Sequence, residues 1–213
     1  MEIRRNLYRT NKERVKKMEE KKRELGSRQS SCKPGEFRAV TDGNEKYIEG
    51  YFAVFGSNYD IGPGMSESID PHAFDDAIDD DIRCLTDHDT RLVIGRTTAG
   101  TFELSIDGHG LYGRALVNPN DQDALNTHAR VDRGDVSQAS FGFDITDEES
   151  EVFEDGSVHW TIKGVKLYEC SIVTFPAYAE TNIEARTKDA LDVKKRETEA
   201  LKEKLKKKLK GEE

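Results

Sequence analysis

A serine hydroxyl becomes a nucleophile only when a base within hydrogen-bond reach takes its proton. A third group must then orient that base and stabilise its charge. The stretch Ser137-Gln-Ala-Ser140-Phe-Gly-Phe143 offers a serine in a distinctive setting. Phe141 and Phe143 alternate with Gly142, as on a strand, and the glycine admits the close approach of another backbone or a substrate. Ser140 is the candidate nucleophile, with a buried strand serine as the alternative reading. The chain has only five histidines. His72 stands at a helix start, His109 in a glycine turn, His128 mid-helix and His159 beside Trp160 in a hairpin. His88 ends an apolar strand between two aspartates, a place both rigid and open, and histidine is the side chain best suited to act as a base near neutrality. It is the candidate base.

These residues need a scaffold, and the periodicity supplies mostly strands. Tyr47–Phe55, Ile82–Thr86, Arg91–Thr97, Thr101–Ile106, Leu111–Val117, Val136–Ile145, Val152–Ile162 and Lys166–Phe175 are rich in β-branched and aromatic residues. Residues 152–162 turn at Asp155-Gly156, and residues 56–66 read as a loop punctuated by Gly and Pro. Asp70-Pro71 opens a predicted helix over 71–79 with Phe74, Ala77 and Ile78 on one face. A second helix is expected over 120–133, with Ala124, Leu125, His128, Ala129 and Val131 inward and Gly134 ending it. The sum is an α+β chain, mostly β with helices. The expected architecture is a closed antiparallel β-barrel of about seven strands surrounded by a few helices.

Composition sets the domain plan. Of 213 residues, 35% are hydrophobic and 35% charged, lean for one compact globule. Residues 1–35 hold 12 Lys/Arg against 5 Asp/Glu, and residues 184–213 hold 11 against 8. That leaves 10 against 29 for the middle. The plan is a basic helical arm over 1–25, a flexible linker over 26–36, the catalytic domain over 37–183 and a charged helical tail over 184–213. In the tail, Leu201, Leu205 and Leu209 fall four apart. An acidic core repels phosphate, so no nucleic-acid partner is expected. No run of about 18 apolar residues exists, so no membrane partner is expected either. Cys32, Cys84 and Cys170 are odd in number and widely spaced, without ligand spacing. Neither a disulfide framework, nor a metal, nor any cofactor is suggested.

Three stretches, in order, resemble the tailed-phage (caudovirus) prohead serine proteases. Gly50-Tyr-Phe-Ala-Val-Phe55 with Glu67-Ser-Ile-Asp-Pro-His-Ala-Phe74 is similar to the family's opening. Leu85-Thr-Asp-His88-Asp89 with Ile94-Gly95 resembles its histidine segment. Gly134–Phe143 and then Leu167-Tyr-Glu-Cys-Ser-Ile-Val-Thr-Phe-Pro-Ala-Tyr178 resemble the serine segment and the close. Asp87 replaces a usual Asn and Cys170 a common Val.

The resemblance covers about residues 46–187 and implies a fold like the herpesvirus assemblin proteases, a barrel ringed by helices. It assigns Ser140, rather than Ser137, as nucleophile and His88 as general base. The expected third member is Glu169, on a late strand, with His159 and Asp89 as rivals. The assemblin pattern has arginines shortly after its third catalytic residue, where this chain has Ala177-Tyr178. The implied function is a serine endopeptidase cleaving capsid precursors and scaffold segments, and its own chain, inside the assembling prohead in the host cytoplasm. Self-association is expected with it. The alternative is an inactive protease-like scaffolding or capsid-assembly protein.

Overall fold

The computed structural model describes residues 26–30, 37–175 and 180–210. The expected helix over 1–25 and the Pro176-Ala177-Tyr178 close lie outside them.

Eleven strands form two sheets among the described residues. They are β1 (Gly26–Ser30), β2 (Arg38–Asp42), β3 (Glu45–Val54), β4 (Tyr59–Gly62), β5 (Met65–Ile69), β6 (Arg83–Thr86), β7 (Asp89–Arg96), β8 (Phe102–Ile106), β9 (Gly110–Leu116), β10 (Gln138–Val152) and β11 (Val158–Val173). Two α-helices accompany them, α1 (Gln122–Arg133) and α2 (Glu180–Lys210). The smaller sheet is antiparallel in the order β2-β3-β9-β8. The larger runs β1-β10-β11-β5-β4, with β6 also paired to β11 and β7 to β6.

The closed antiparallel barrel is therefore not what the chain forms. Both sheets are open, and the larger is mixed. The reason lies in β11. Its 16 residues are long enough to take two short strands end to end along one edge, β5 beside Val158–Ile162 and β6 beside Glu169–Ile172, both parallel. Parallel pairing needs a crossover, which hydrophobic periodicity does not announce.

Three other expectations change. The expected loop over 56–66 instead supplies β4 and the start of β5, which pair as a short hairpin. The acidic run after Ile145 continues the strand, so β10 and β11 make one long hairpin through Asp155-Gly156. Residues 71–79 form successive turns rather than an α-helix, with Ala73, Asp75 and Ala77 each bonding the carbonyl three residues back. Phe74 and Ala77 are buried as expected. Asp75, Asp76, Asp79, Asp80 and Asp81 explain the change. Aspartate is a poor helix former, and negative charge at a helix C-terminus opposes the dipole.

The main core joins both sheets. Ile48, Phe52, Phe102, Leu111 and Ala115 from the small sheet pack in one cluster with Ala139, Phe141, Phe143, Cys170 and Ile172 from the large one. Helix α1 is capped by the Asp121 side chain, which accepts from the Asp123 and Ala124 amides, and ends at Gly134. It buries Ala124, Thr127, His128 and Val131. A second cluster, Met65, Val158, Trp160, Ala190 and Val193, seats α2 on the far end of the long hairpin.

Candidate functional site

Ser140 lies on β10 opposite Ser171 of β11, and Gly142 lies opposite Glu169. Alternation puts Ala139, Phe141 and Phe143 into the core, so Ser140 and Gly142 face the other way. Glu169 joins them only because the hairpin is irregular. Phe143 pairs with Leu167, but Gly142 pairs with Glu169, leaving Tyr168 as an extra residue. This bulge reverses the facing of β11, so that Leu167 is in the core while Glu169 and Ser171 turn to the serine face. Tyr168 is anchored by its hydroxyl, which donates to Asp144 Oδ2 at 2.9 Å.

Gly142 gives Glu169 its room. A Cβ there would overlap Glu169 Oε1 and stand 3.2 Å from the carboxyl carbon. The close approach that the glycine permits is thus that of a carboxylate, lying across the position next but one to Ser140.

His88 arrives from β6. Asp87 and His88 are the two central residues of the β6–β7 hairpin, and both have positive φ, 50° and 58°. Two-residue hairpin turns of this hand need a left-handed backbone at both positions, which costs non-glycine residues about 1–2 kcal/mol each. Side chains from both positions hold it. Asp87 Oδ1 accepts from the Thr174 amide at 2.7 Å, and Asp87 Oδ2 from the Thr174 hydroxyl at 3.2 Å. His88 Nδ1 donates to Glu169 Oε1 at 2.7 Å. Just before the turn, the Thr86 and Thr127 hydroxyls are 3.1 Å apart, tying the hairpin to α1. His88 therefore sits not on the expected strand end but in a strained turn, two residues beyond Thr86.

The imidazole is a quarter exposed and the Glu169 side chain about a tenth, while Ser140 is fully buried. The second carboxylate oxygen of Glu169 accepts from the Ser171 hydroxyl. An ionised carboxylate only accepts, so the Nδ1 proton is on the histidine and the lone pair of the neutral ring is on Nε2. That is the tautomer a general base requires.

The histidine is thus bonded to a carboxylate that shares a sheet face with Ser140. Residues 33–196 match the family model described as Caudovirus prohead serine protease. The chain belongs to the caudovirus prohead serine protease family. It is also 28% identical over 154 residues to the "Prohead protease" of Enterobacteria phage HK97, covering 70% of this chain and 64% of that protein. The chain thus spans less than two thirds of that relative's length. No solved structure matches it significantly.

Within this prohead protease family member, the rival third residues stand elsewhere. His159 lies ten positions before Glu169 on β11, about 30 Å along an extended strand. Its two ring nitrogens are 2.8 Å from Ser66 Oγ and Ser68 Oγ of β5. Asp89 is held by Arg91, whose guanidinium bonds keep its carboxyl down at about 2. Ser137 precedes β10 and is half-buried. Ser171 was not anticipated as part of the group. Its only sequence signal is its spacing of two from Glu169, which on a strand places both on one face.

Cys170 and Cys84 are register partners on β11 and β6, both free and buried, and burial pushes both thiols well up. They are core residues behind the site and not thiolates. Among the described residues, no group of three or more His, Cys, Asp or Glu could hold a metal ion. Nor is any helix among them long and apolar enough to cross a membrane.

Proposed function

We propose that the chain is a serine endopeptidase of prohead maturation, with Ser140 as nucleophile, His88 as general base and Glu169 as its orienting carboxylate. The observation that carries this reading is the 2.7 Å bond from His88 Nδ1 to Glu169, two register positions from the serine and on the same face. Ser140 Oγ attacks a peptide carbonyl carbon while His88 Nε2 takes its proton. The C–N bond breaks as the imidazolium returns that proton to the leaving amine. Water, deprotonated by the same nitrogen, then hydrolyses the acyl ester and restores the serine. Glu169 stabilises the imidazolium throughout.

The substrates in this reading are capsid precursor and scaffold segments and the enzyme's own 26–36 stretch, inside the prohead forming in the host cytoplasm. Family membership supports the setting, and the relative from phage HK97 is named a prohead protease. The basic segments flanking an acidic middle support docking and self-association by opposite charge.

Co-expression with the phage's capsid precursor tests the reading. The wild-type chain is expected to trim the precursor and the Ser140→Ala chain to leave it whole. Equal processing by both would overturn it and favour an inactive scaffolding role.

A further inference from the structure

Ser140 has no exposed surface, yet a peptide carbonyl must reach its hydroxyl. Something now beside it has to leave. On one side β10 is bonded to β11, the inner hairpin partner that also supplies Glu169 and cannot depart without dismantling the site. On the other side lies Gly26–Ser30, which forms the outermost strand of the sheet. It runs antiparallel to β10 with Ser27 opposite Gly142, Arg28 opposite Phe141, Gln29 opposite Ser140 and Ser30 opposite Ala139. Five residues read as linker from their Gly and Ser content are therefore paired along the catalytic strand, with a main-chain position directly beside the nucleophile.

An extended peptide is commonly bound as an added strand on a sheet edge, where main-chain hydrogen bonds supply affinity with little demand on sequence. Removing β1 would turn β10 into such an edge, with Ser140 at its middle. We propose that Ala139–Phe143 of β10 is the peptide-docking edge of the enzyme, and that Gly26–Ser30 occupies it as an internal competitor, which a substrate segment replaces in the same antiparallel register. This inference rests on the serine-peptidase reading above. It adds a substrate-binding edge and a restraint on activity.

The restraint follows from mass action. A tethered segment competes at an effective concentration on the order of millimolar. A dilute substrate displaces it poorly. A substrate packed at comparable density, as in an assembling shell, displaces it readily. Sequence-tolerant main-chain pairing also lets one edge accept both the polar Gly-Ser-Arg-Gln-Ser segment and unrelated segments of other chains.

The test is the rate at which a fluorophosphonate probe labels Ser140 in the full-length chain, compared among variants of β1. In an antiparallel pair, alternate residues point their N–H groups at the partner. Of Arg28→Pro and Gln29→Pro, one therefore removes a ladder bond and the other does not. The disrupting proline is expected to speed labelling at least tenfold, and its neighbour to change it much less. A triple replacement, Ser27→Gly with Arg28→Gly and Gln29→Gly, keeps every N–H and weakens the strand by entropy alone. It is expected to speed labelling too, and so covers the case in which a proline variant misfolds. A synthetic peptide of the Gly26–Ser30 sequence, added at millimolar concentration, should slow the fast variants again. Equal, measurable labelling of wild type and all three variants would overturn the docking-edge inference and leave the Ser140 reading standing. Absence of labelling in every protein would overturn the Ser140 reading and this inference with it.

Discussion

At the scale of single residues, the site depends on a carboxylate that hydrogen-bonds His88 and Ser171 while lying over Gly142. Glu169→Gln keeps the shape and removes the charge that stabilises an imidazolium. Its kcat is expected to fall by about 10²–10⁴ with KM little changed, by analogy with the loss when a triad aspartate becomes asparagine. Steady-state kinetics on a capsid-precursor peptide checks this, and an unaltered kcat would remove Glu169 from the mechanism. Gly142→Ala acts through the same atom. The new Cβ collides with the end of a flexible side chain, so the fold should survive while the carboxylate shifts. A displacement of about 1 Å at a catalytic group costs on the order of 100-fold in rate. The expected result is a native melting temperature with strongly reduced turnover; native turnover would show that the glycine's room is not needed. Ser140, His88 and Glu169 stand out as candidates in the sequence because the stretches that hold them occur in the family's order, and the fold bonds His88 to Glu169 on the face that Ser140 shares. Ser171 does not stand out, because a serine two positions from a glutamate is commonplace and only the bulged register makes it a partner.

At the scale of elements, two irregularities place those residues, and both are invisible to periodicity. The bulge at Tyr168 reverses the facing of β11, whereas strict alternation from Leu167 would send Glu169 into the core. The β6–β7 turn holds Asp87 and His88 in left-handed backbone. Asparagine and aspartate tolerate that conformation better than other residues with side chains, which accounts for either at position 87. Asp87→Ala should then cost about 1–3 kcal/mol, by leaving the Thr174 amide without its carboxylate partner and raising backbone strain. Asp87→Asn should cost clearly less. Denaturant unfolding of the two variants decides, and equal losses would contradict the role given to this side chain. The base of the same hairpin is tied by Asp81, which accepts from both Arg96 Nε and Arg96 Nη2 at 2.6 Å and from the Thr98 hydroxyl at 2.9 Å. The Arg96 bonds hold its carboxyl well below the usual carboxylate range. A group depressed on folding stabilises above its unfolded pKa, near 3.9, and that stability is lost as pH falls below it. The melting-temperature gap between wild type and Asp81→Asn should therefore be full at pH 5–7 and shrink toward pH 2. A gap independent of pH would rule this linkage out.

At the scale of the whole molecule, the predominance of strands and helix α1 were legible in the sequence, while the open, mixed arrangement of the sheets was not. Antiparallel neighbours such as β8 and β9 are announced by their turn at Asp107–Gly110. The parallel seating of β5 and β6 on β11 joins segments far apart in sequence, and composition carries no sign of it. The C-terminal helix shows the same division. Its leucines at 201, 205 and 209 form the visible stripe, but they are exposed, and Ala190 and Val193 make the buried contact with Trp160. Trp160→Ala should cost about 3–5 kcal/mol and loosen α2, whereas Leu205→Ser should stay within about 0.5 kcal/mol. Thermal unfolding of both variants checks this, and a large loss in Leu205→Ser would mean that the stripe is covered in solution.

The site of covalent modification by a serine-reactive fluorophosphonate, mapped by peptide mass spectrometry after prolonged incubation of the full-length chain, tests the central claim most directly. The account predicts an adduct on Ser140 in the native protein and its loss in His88→Ala. An adduct on another serine such as Ser137, or undiminished labelling of Ser140 without His88, would contradict it.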